Sequence, residues 1–260
     1  MADQHRMSAN PLTLSWLEPG DDFPPIHHAW GENSSAPGLL CAGGDLSVDT
    51  LRRAYQAGIF PWFSPDQPIL WWSPNPRMVL KPAEFRLHTS LKKRLKTFAN
   101  SPQCEIRVDT SFEAVIQACA DSGRPGQPGT WIVPNMVQAY VRLHQAGLAH
   151  SVETWVDGQL VGGLYFVAIG QAVFGESMFH RVTDASKIAL AALIAMCRQF
   201  GVRQIDCQQN TRHLASFGAT EMPRALFVKD VDIALTQVAP VWKFAPVYWN
   251  CLLTPVAAHT

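Results

Sequence analysis

Residues 151–179, SVETWVDGQLVGGLYFVAIGQAVFGESMF, decide how this chain folds. β-Branched and aromatic residues fill the stretch, and two turn signals cut it, "VDGQ" at 156–159 and "AIGQ" at 168–171. Glycine-bearing turns between apolar runs mark hairpins, so the segment reads as three antiparallel strands. TDASKIALAALIAMCRQFG (183–201) follows as a long apolar helix, with Asp184 as expected cap and Gly201 as stop. VRQIDCQ (202–208) is then a fourth strand. Upstream, EIRVDTSFEAVIQACA (105–120) reads as strand then helix, with Ser111 as cap. VPNMVQAYVRLHQAGLAH (133–150) is a helix with Pro134 in its first turn and Gly147 at its end. Helix, hairpin sheet, helix, strand is a mixed α/β (α+β) order with a mostly antiparallel sheet.

Working outward, Ser47 caps a helix whose Leu51, Tyr55 and Ile59 share one face. IFPWFSPDQPILWWSPNPR (59–77) carries Trp62, Trp71 and Trp72 among prolines that remove backbone donors, an irregular aromatic loop or mini-core. Pro74 to Pro82 reads as a linker, which places a small N-terminal domain at 1–80 and a larger one at 81–260. FRLHTSLKKRLKTF (85–98) reads as a helix capped by Ser90 and carrying Lys92, Lys93, Arg94 and Lys96, the densest basic cluster of the chain. The tail PVWKFAPVYWN (240–250) reads as a closing strand.

Composition narrows the function. In 260 residues, 47% are apolar, which is ample for a sizeable core. Basic and acidic residues balance at 21 each, so no global field draws the chain onto nucleic acid or anionic lipid. Nucleic-acid contact then depends on a local patch such as 92–96. No apolar run reaches membrane-span length, and the polar first ten residues are unlike a secretory signal, so a cytoplasmic protein is expected. Six cysteines without a CxxC pair argue against a zinc or disulfide framework.

Chemistry concentrates near residue 206. On a regular strand Asp206 and Gln208 face one side and Ile205 and Cys207 the other. A carboxylate beside a carboxamide can orient it, and the amide oxygen can then accept a hydrogen from an attacking amine. Glu176, flanked by Phe174, Met178 and Phe179, reads as an acid facing a greasy pocket, suited to an ammonium group on an apolar side chain. Leu164, Met178, Leu190 and Ile205 are candidate walls for it, although each also suits plain core.

The element order resembles the GNAT acyltransferase core. That core carries a glycine loop for coenzyme A before its long helix, whereas FHRVTDASKIAL (179–190) has no glycine, so no cofactor is expected. Blocks 38–77, 129–153 and 160–181, with DASKIAL and HLASFGA, resemble the leucyl/phenylalanyl-tRNA–protein transferases from about Pro37 to Arg224. The resemblance implies a small N-terminal domain and a GNAT-like catalytic domain, acting in the cytoplasm. The implied activity moves leucine or phenylalanine, with methionine a third candidate, from charged tRNA to proteins beginning with Arg or Lys. The product is marked for degradation, with no metal or coenzyme A, and a monomer is expected. Position by position, it makes Asp206 and Gln208 the catalytic acid and amide and Glu176 the acid of the "GESMF" block. Leu164, Met178, Leu190 and Ile205 then form the amino-acid pocket, Trp62 and Trp131 lie near the terminal adenosine, and Lys92, Lys93, Arg94 and Lys96 meet the acceptor stem. Leu164 stands where some members have Met, and Thr211 where another has Asn. Competing readings are a GNAT-type or Fem-type acyltransferase acting on another amine, and a non-catalytic RNA- or peptide-binding module.

Overall fold

The computed structural model describes residues 13–122 and 132–254. Its strands are β1 (Ser15–Leu17), β2 (Leu39–Gly43), β3 (Phe60–Pro61), β4 (Leu70–Trp72), β5 (Arg77–Leu80), β6 (Cys104–Val108), β7 (Ala149–Val156), β8 (Gln159–Ile169), β9 (Ala172–His180), β10 (Ile205–Gln208) and β11 (Thr220–Met222). The α-helices are α1 (Val48–Gln56), α2 (Thr89–Ala99), α3 (Phe112–Asp121), α4 (Pro134–Gln145), α5 (Ala185–Phe200), α6 (Arg212–Ser216), α7 (Arg224–Leu235) and α8 (Asn250–Leu253). A small sheet runs β1-β2-β4-β3, and a seven-stranded sheet runs β11-β5-β10-β9-β8-β7-β6. Within the larger sheet β10 lies parallel to β9 and its other pairings are antiparallel. The fold is therefore the expected mixed α/β one, with hairpins, long helix and returning strand in the order read from the sequence.

Both faces of the large sheet are covered, because β8 is apolar on both sides. Leu164, Phe166 and Ala168 join a core with α2 and α5, while Tyr165 and Val167 join one with α1, α3 and α4. The turns are as expected: Asp157 and Gly158 both have positive φ, 50° and 71°, the signature of a tight two-residue hairpin. Gly162 sets how α5 docks. A Cβ there would lie 2.5 Å from the Ala185 Cβ, so only glycine lets the start of α5 rest on β8 beside the coming cavity.

Several local expectations change. Pro74 to Pro82 is no simple linker: Arg77–Leu80 forms the buried strand β5 between β10 and β11, because its apolar side chains complete the sheet. Trp71 and Trp72 belong to β4, and Trp71 is wholly buried, its indole N–H donating to the Gly43 carbonyl. His88, not Ser90, precedes α2, and the tail forms a 3-10 turn and α8 instead of a strand. Ser111 and Asp184 sit at the N-cap positions without side-chain cap bonds. The buried Glu153 takes the Ser111 N–H at 2.7 Å, and Asp184 is drawn off by Lys187 at 2.7 Å and Arg94 at 3.4 Å.

Candidate active site

Where β9, β10 and α5 meet, a cavity of about 570 Å³ opens. Leu164, Met178, Leu190, Ile205 and Trp62 line it, together with Glu176 and Gln208. Seven of the residues singled out from the sequence thus converge. The four aliphatic ones come from four elements whose inward faces share one wall: Leu164 lies opposite Met178 in the β8–β9 ladder, Leu190 descends from α5 and Ile205 stands on β10. The Trp62 ring is held at the rim by the Trp72 ring, 5.5 Å away, and its carbonyl accepts from the Trp72 indole at 2.7 Å. Trp131 lies outside the described residues.

Asp206 and Gln208 do not share a face. The β10–β5 register slips between them, and Gln208 adopts φ 63°, the left-handed region that costs an ordinary residue about 1–2 kcal/mol. The slip turns Gln208 into the cavity with Ile205. Asp206 stays buried on the other side, at the edge of a separate hollow of about 300 Å³ beneath α7. Strict strand alternation therefore fails at this one residue. The expected carboxylate-to-carboxamide contact becomes a carboxylate-to-backbone one: Asp206 Oδ1 accepts from the Gln208 N–H at 2.8 Å, which offsets the unfavourable φ.

The Gln208 carboxamide instead donates to Glu176 Oε1 at 3.0 Å. Tyr55 donates to the same oxygen at 2.7 Å, Tyr140 reaches Oε2 at 3.4 Å, and the two phenols are themselves hydrogen-bonded. Glu176 is half-buried, and the exposure it keeps is toward the cavity it lines. Desolvation pushes its pKa up to about 8, against the lowering effect of the Tyr55 hydrogen bond. Burial likewise drives both tyrosine hydroxyls well above their usual range, with Glu176 adding to it, so they stay neutral donors.

Sequence reasoning missed the partners. Tyr55 reads from the sequence only as a helix-face residue and Tyr140 is not singled out, yet a buried phenol needs an acceptor, and that is the signal that points to both. Arg77 was passed over inside the supposed linker. It is wholly buried and grips Asp206 with two nitrogens, Nε at 2.8 Å and Nη2 at 2.6 Å.

The basic cluster lies outside the cavity, on α2. Leu91, Leu95 and Phe98 anchor the helix, leaving Lys93, Arg94 and Lys96 exposed and Lys92 half-buried. Arg94 meets Asp184, which with Lys187 stands at the cavity. Among the described residues no helix is long and apolar enough to cross a membrane.

Comparison with known proteins matches the chain to one family. The family model described as leucyl/phenylalanyl-tRNA protein transferase matches residues 79–232, and that of its N-terminal domain matches 44–75. A leucyl/phenylalanyl-tRNA–protein transferase of Albidiferax ferrireducens is 63% identical over 98% of this chain and its own full length. One from a Polaromonas species is 59% identical over 95% of this chain and 97% of its own. Among solved structures, a GCN5-related N-acetyltransferase from Kribbella flavida covers 66% of this chain and 60% of its own at 13% identity, with a TM-score of 0.35. With both family models matched and relatives aligned nearly end to end, the chain belongs to the leucyl/phenylalanyl-tRNA protein transferase family.

Proposed function

We propose that this chain moves leucine or phenylalanine from charged tRNA to the α-amino group of proteins beginning with Arg or Lys, in the cavity beside Glu176 and Gln208. The observation that carries this is the cavity's polarity: apolar walls from Leu164, Met178, Leu190 and Ile205, and at one end the Glu176–Gln208 pair. Its volume falls in the range of ligand sites, roughly 300–1,000 Å³. An apolar pocket without directional groups discriminates weakly among apolar side chains, about 1–3 kcal/mol per methylene, so one wide enough for phenylalanine also accepts leucine. In this reading the enzyme acts in the cytoplasm as a monomer, and its products are directed to degradation. Residues 13–76 form a smaller unit before the catalytic one, which begins at β5 because that strand belongs to the large sheet.

The ester is already activated, so orientation dominates catalysis. Glu176 as carboxylate holds the ammonium of the esterified amino acid, and the pocket takes its side chain. Gln208, with its nitrogen committed to Glu176, offers its carbonyl oxygen to an N–H of the attacking neutral amine. The amine nitrogen bonds to the ester carbon, the bond to the ribose oxygen breaks, and the amine's proton ends on that oxygen. Asp206, buried away from the cavity, holds Gln208's backbone and acts as an anchor, not a base.

Leucyl-tRNA mixed with a peptide beginning in Arg tests this directly: N-terminal leucine on the peptide is expected. Transfer to other amines only, or acetyl-coenzyme A turnover instead, would return the chain to a different acyltransferase class. The α2 cluster makes a second expectation. Lys92→Ala with Lys93→Ala should weaken tRNA binding and reduce the slope of log affinity against log salt by about 1.4–1.8, since fewer phosphate contacts release fewer counterions. An unaltered slope, measured by filter binding across salt concentrations, would leave the cluster as solvated surface.

A further inference from the structure

We infer that Arg77 is a positioning residue for the transfer: it stands outside the cavity, yet through Asp206 it fixes the backbone that aims Gln208 at Glu176. The inference rests on the function proposed above. Arg77 is wholly buried, and its whole guanidinium is engaged. Nε and Nη2 form a fork on the Asp206 carboxylate, and Nη1 donates to the Gly58 carbonyl at 3.0 Å. Its guanidinium carbon sits over the Phe60 and Phe227 rings, 4.9 and 4.6 Å from their centres. Phe60 lines the active cavity, Phe227 the hollow behind β10. One side chain thus joins the end of α1, strands β3 and β10, and helix α7.

A buried ion pair is a poor device for stability alone, because desolvating two charges offsets most of their attraction. What this pair holds in place is specific. Asp206 Oδ1, fixed by Arg77 Nε, is the oxygen that accepts the Gln208 N–H. That bond keeps Gln208 in its left-handed conformation, and the conformation places its carboxamide on Glu176. The same pair also contributes to the field at Glu176, after burial and the Tyr55 hydrogen bond. The Asp206 charge raises that acid's proton affinity and the Arg77 charge lowers it. The other groups facing Glu176 are the neutral phenols Tyr55 of α1 and Tyr140 of α4, with His180, His213, Lys187 and Asp184 along the same cavity.

Arg77→Lys keeps the charge and removes the fork. In the leucyl-transfer assay we expect kcat to fall about 10- to 100-fold while KM for leucyl-tRNA stays within about threefold, because the pocket walls are untouched. In a Gln208→Ala background the same substitution should cost less than about threefold, since its effect passes through Gln208. Unchanged kcat, or an equal loss without Gln208, overturns the inference. Should Arg77→Lys fail to fold, the pair replacement Arg77→Met with Asp206→Leu supplies the test. Volume-matched apolar pairs generally fold as well as the ions they replace. We expect a near wild-type melting temperature with at least a 100-fold loss of transfer, whereas retained transfer shows the pair to be scaffolding only. Inactivity of the wild-type chain toward an Arg-peptide refutes the proposed function itself, a result separate from any of these.

Discussion

Asp206→Ala is expected to lose about 3–5 kcal/mol of stability, because it strands Arg77 as an uncompensated charge in a site with no solvent access. For a chain of this size each kcal/mol moves the melting temperature by about 2–4 °C, so a fall of roughly 6–20 °C should appear in a thermal melt. Measured at a temperature where the variant is still folded, transfer should drop at least about 100-fold, while affinity for charged tRNA changes less than about threefold. The split follows from the geometry. Asp206 touches neither the α2 cations nor the apolar pocket, but without it nothing holds the Gln208 N–H, and the left-handed turn relaxes. Asp206→Asn should fall between, since its amide oxygen still accepts from Gln208. Wild-type turnover in a folded Asp206→Ala protein would remove this residue from the mechanism altogether.

Glu176→Gln should slow transfer by an amount that depends on pH. With the native pKa near 8, Glu176 is largely protonated at pH 6 and ionised above pH 8. Glutamine mimics the protonated form. The variant's deficit in kcat/KM should therefore be small at pH 6 and grow by about tenfold per pH unit, to about 100-fold or more above pH 8. A deficit that does not vary with pH would mean that the charge of Glu176 takes no part in the reaction.

Stability should move the opposite way. In the unfolded chain this acid titrates near its ordinary value of 4.5, and in the native state near 8. Between those values the native state binds the extra proton, so its contribution is complete below about pH 4.5 and is lost as pH rises toward 8. The slope amounts to at most about 1.4 kcal/mol per pH unit. Glu176→Gln should flatten this decline in denaturant titrations, leaving the variant more stable than wild type at pH 8 as well as less active. The site thus holds a carboxylate where folding disfavours it, as expected where chemistry and stability compete.

Local chemistry made much of this legible from sequence alone. Asp157-Gly158 specifies a hairpin by its own backbone preferences, and Gly201 ends α5 because only glycine enters φ 76° without cost. The apolar residues that form the cavity wall, Leu164, Met178, Leu190 and Ile205, were identified by type and family position, and the packing of β8, β9, β10 and α5 brought them together.

What the tertiary structure alone decided involves groups far apart in the chain. Alternation along β10 predicted that Asp206 and Gln208 face the same way. A single-residue slip against β5 separates them, and the slip is held by Arg77, 129 positions from Asp206. Glu176 likewise takes its phenols from α1 and α4, 121 and 36 residues away. Periodicity reports which face a residue prefers. It says nothing about which distant donor will meet it there, because that pairing arises only when separate elements close around the same buried charge.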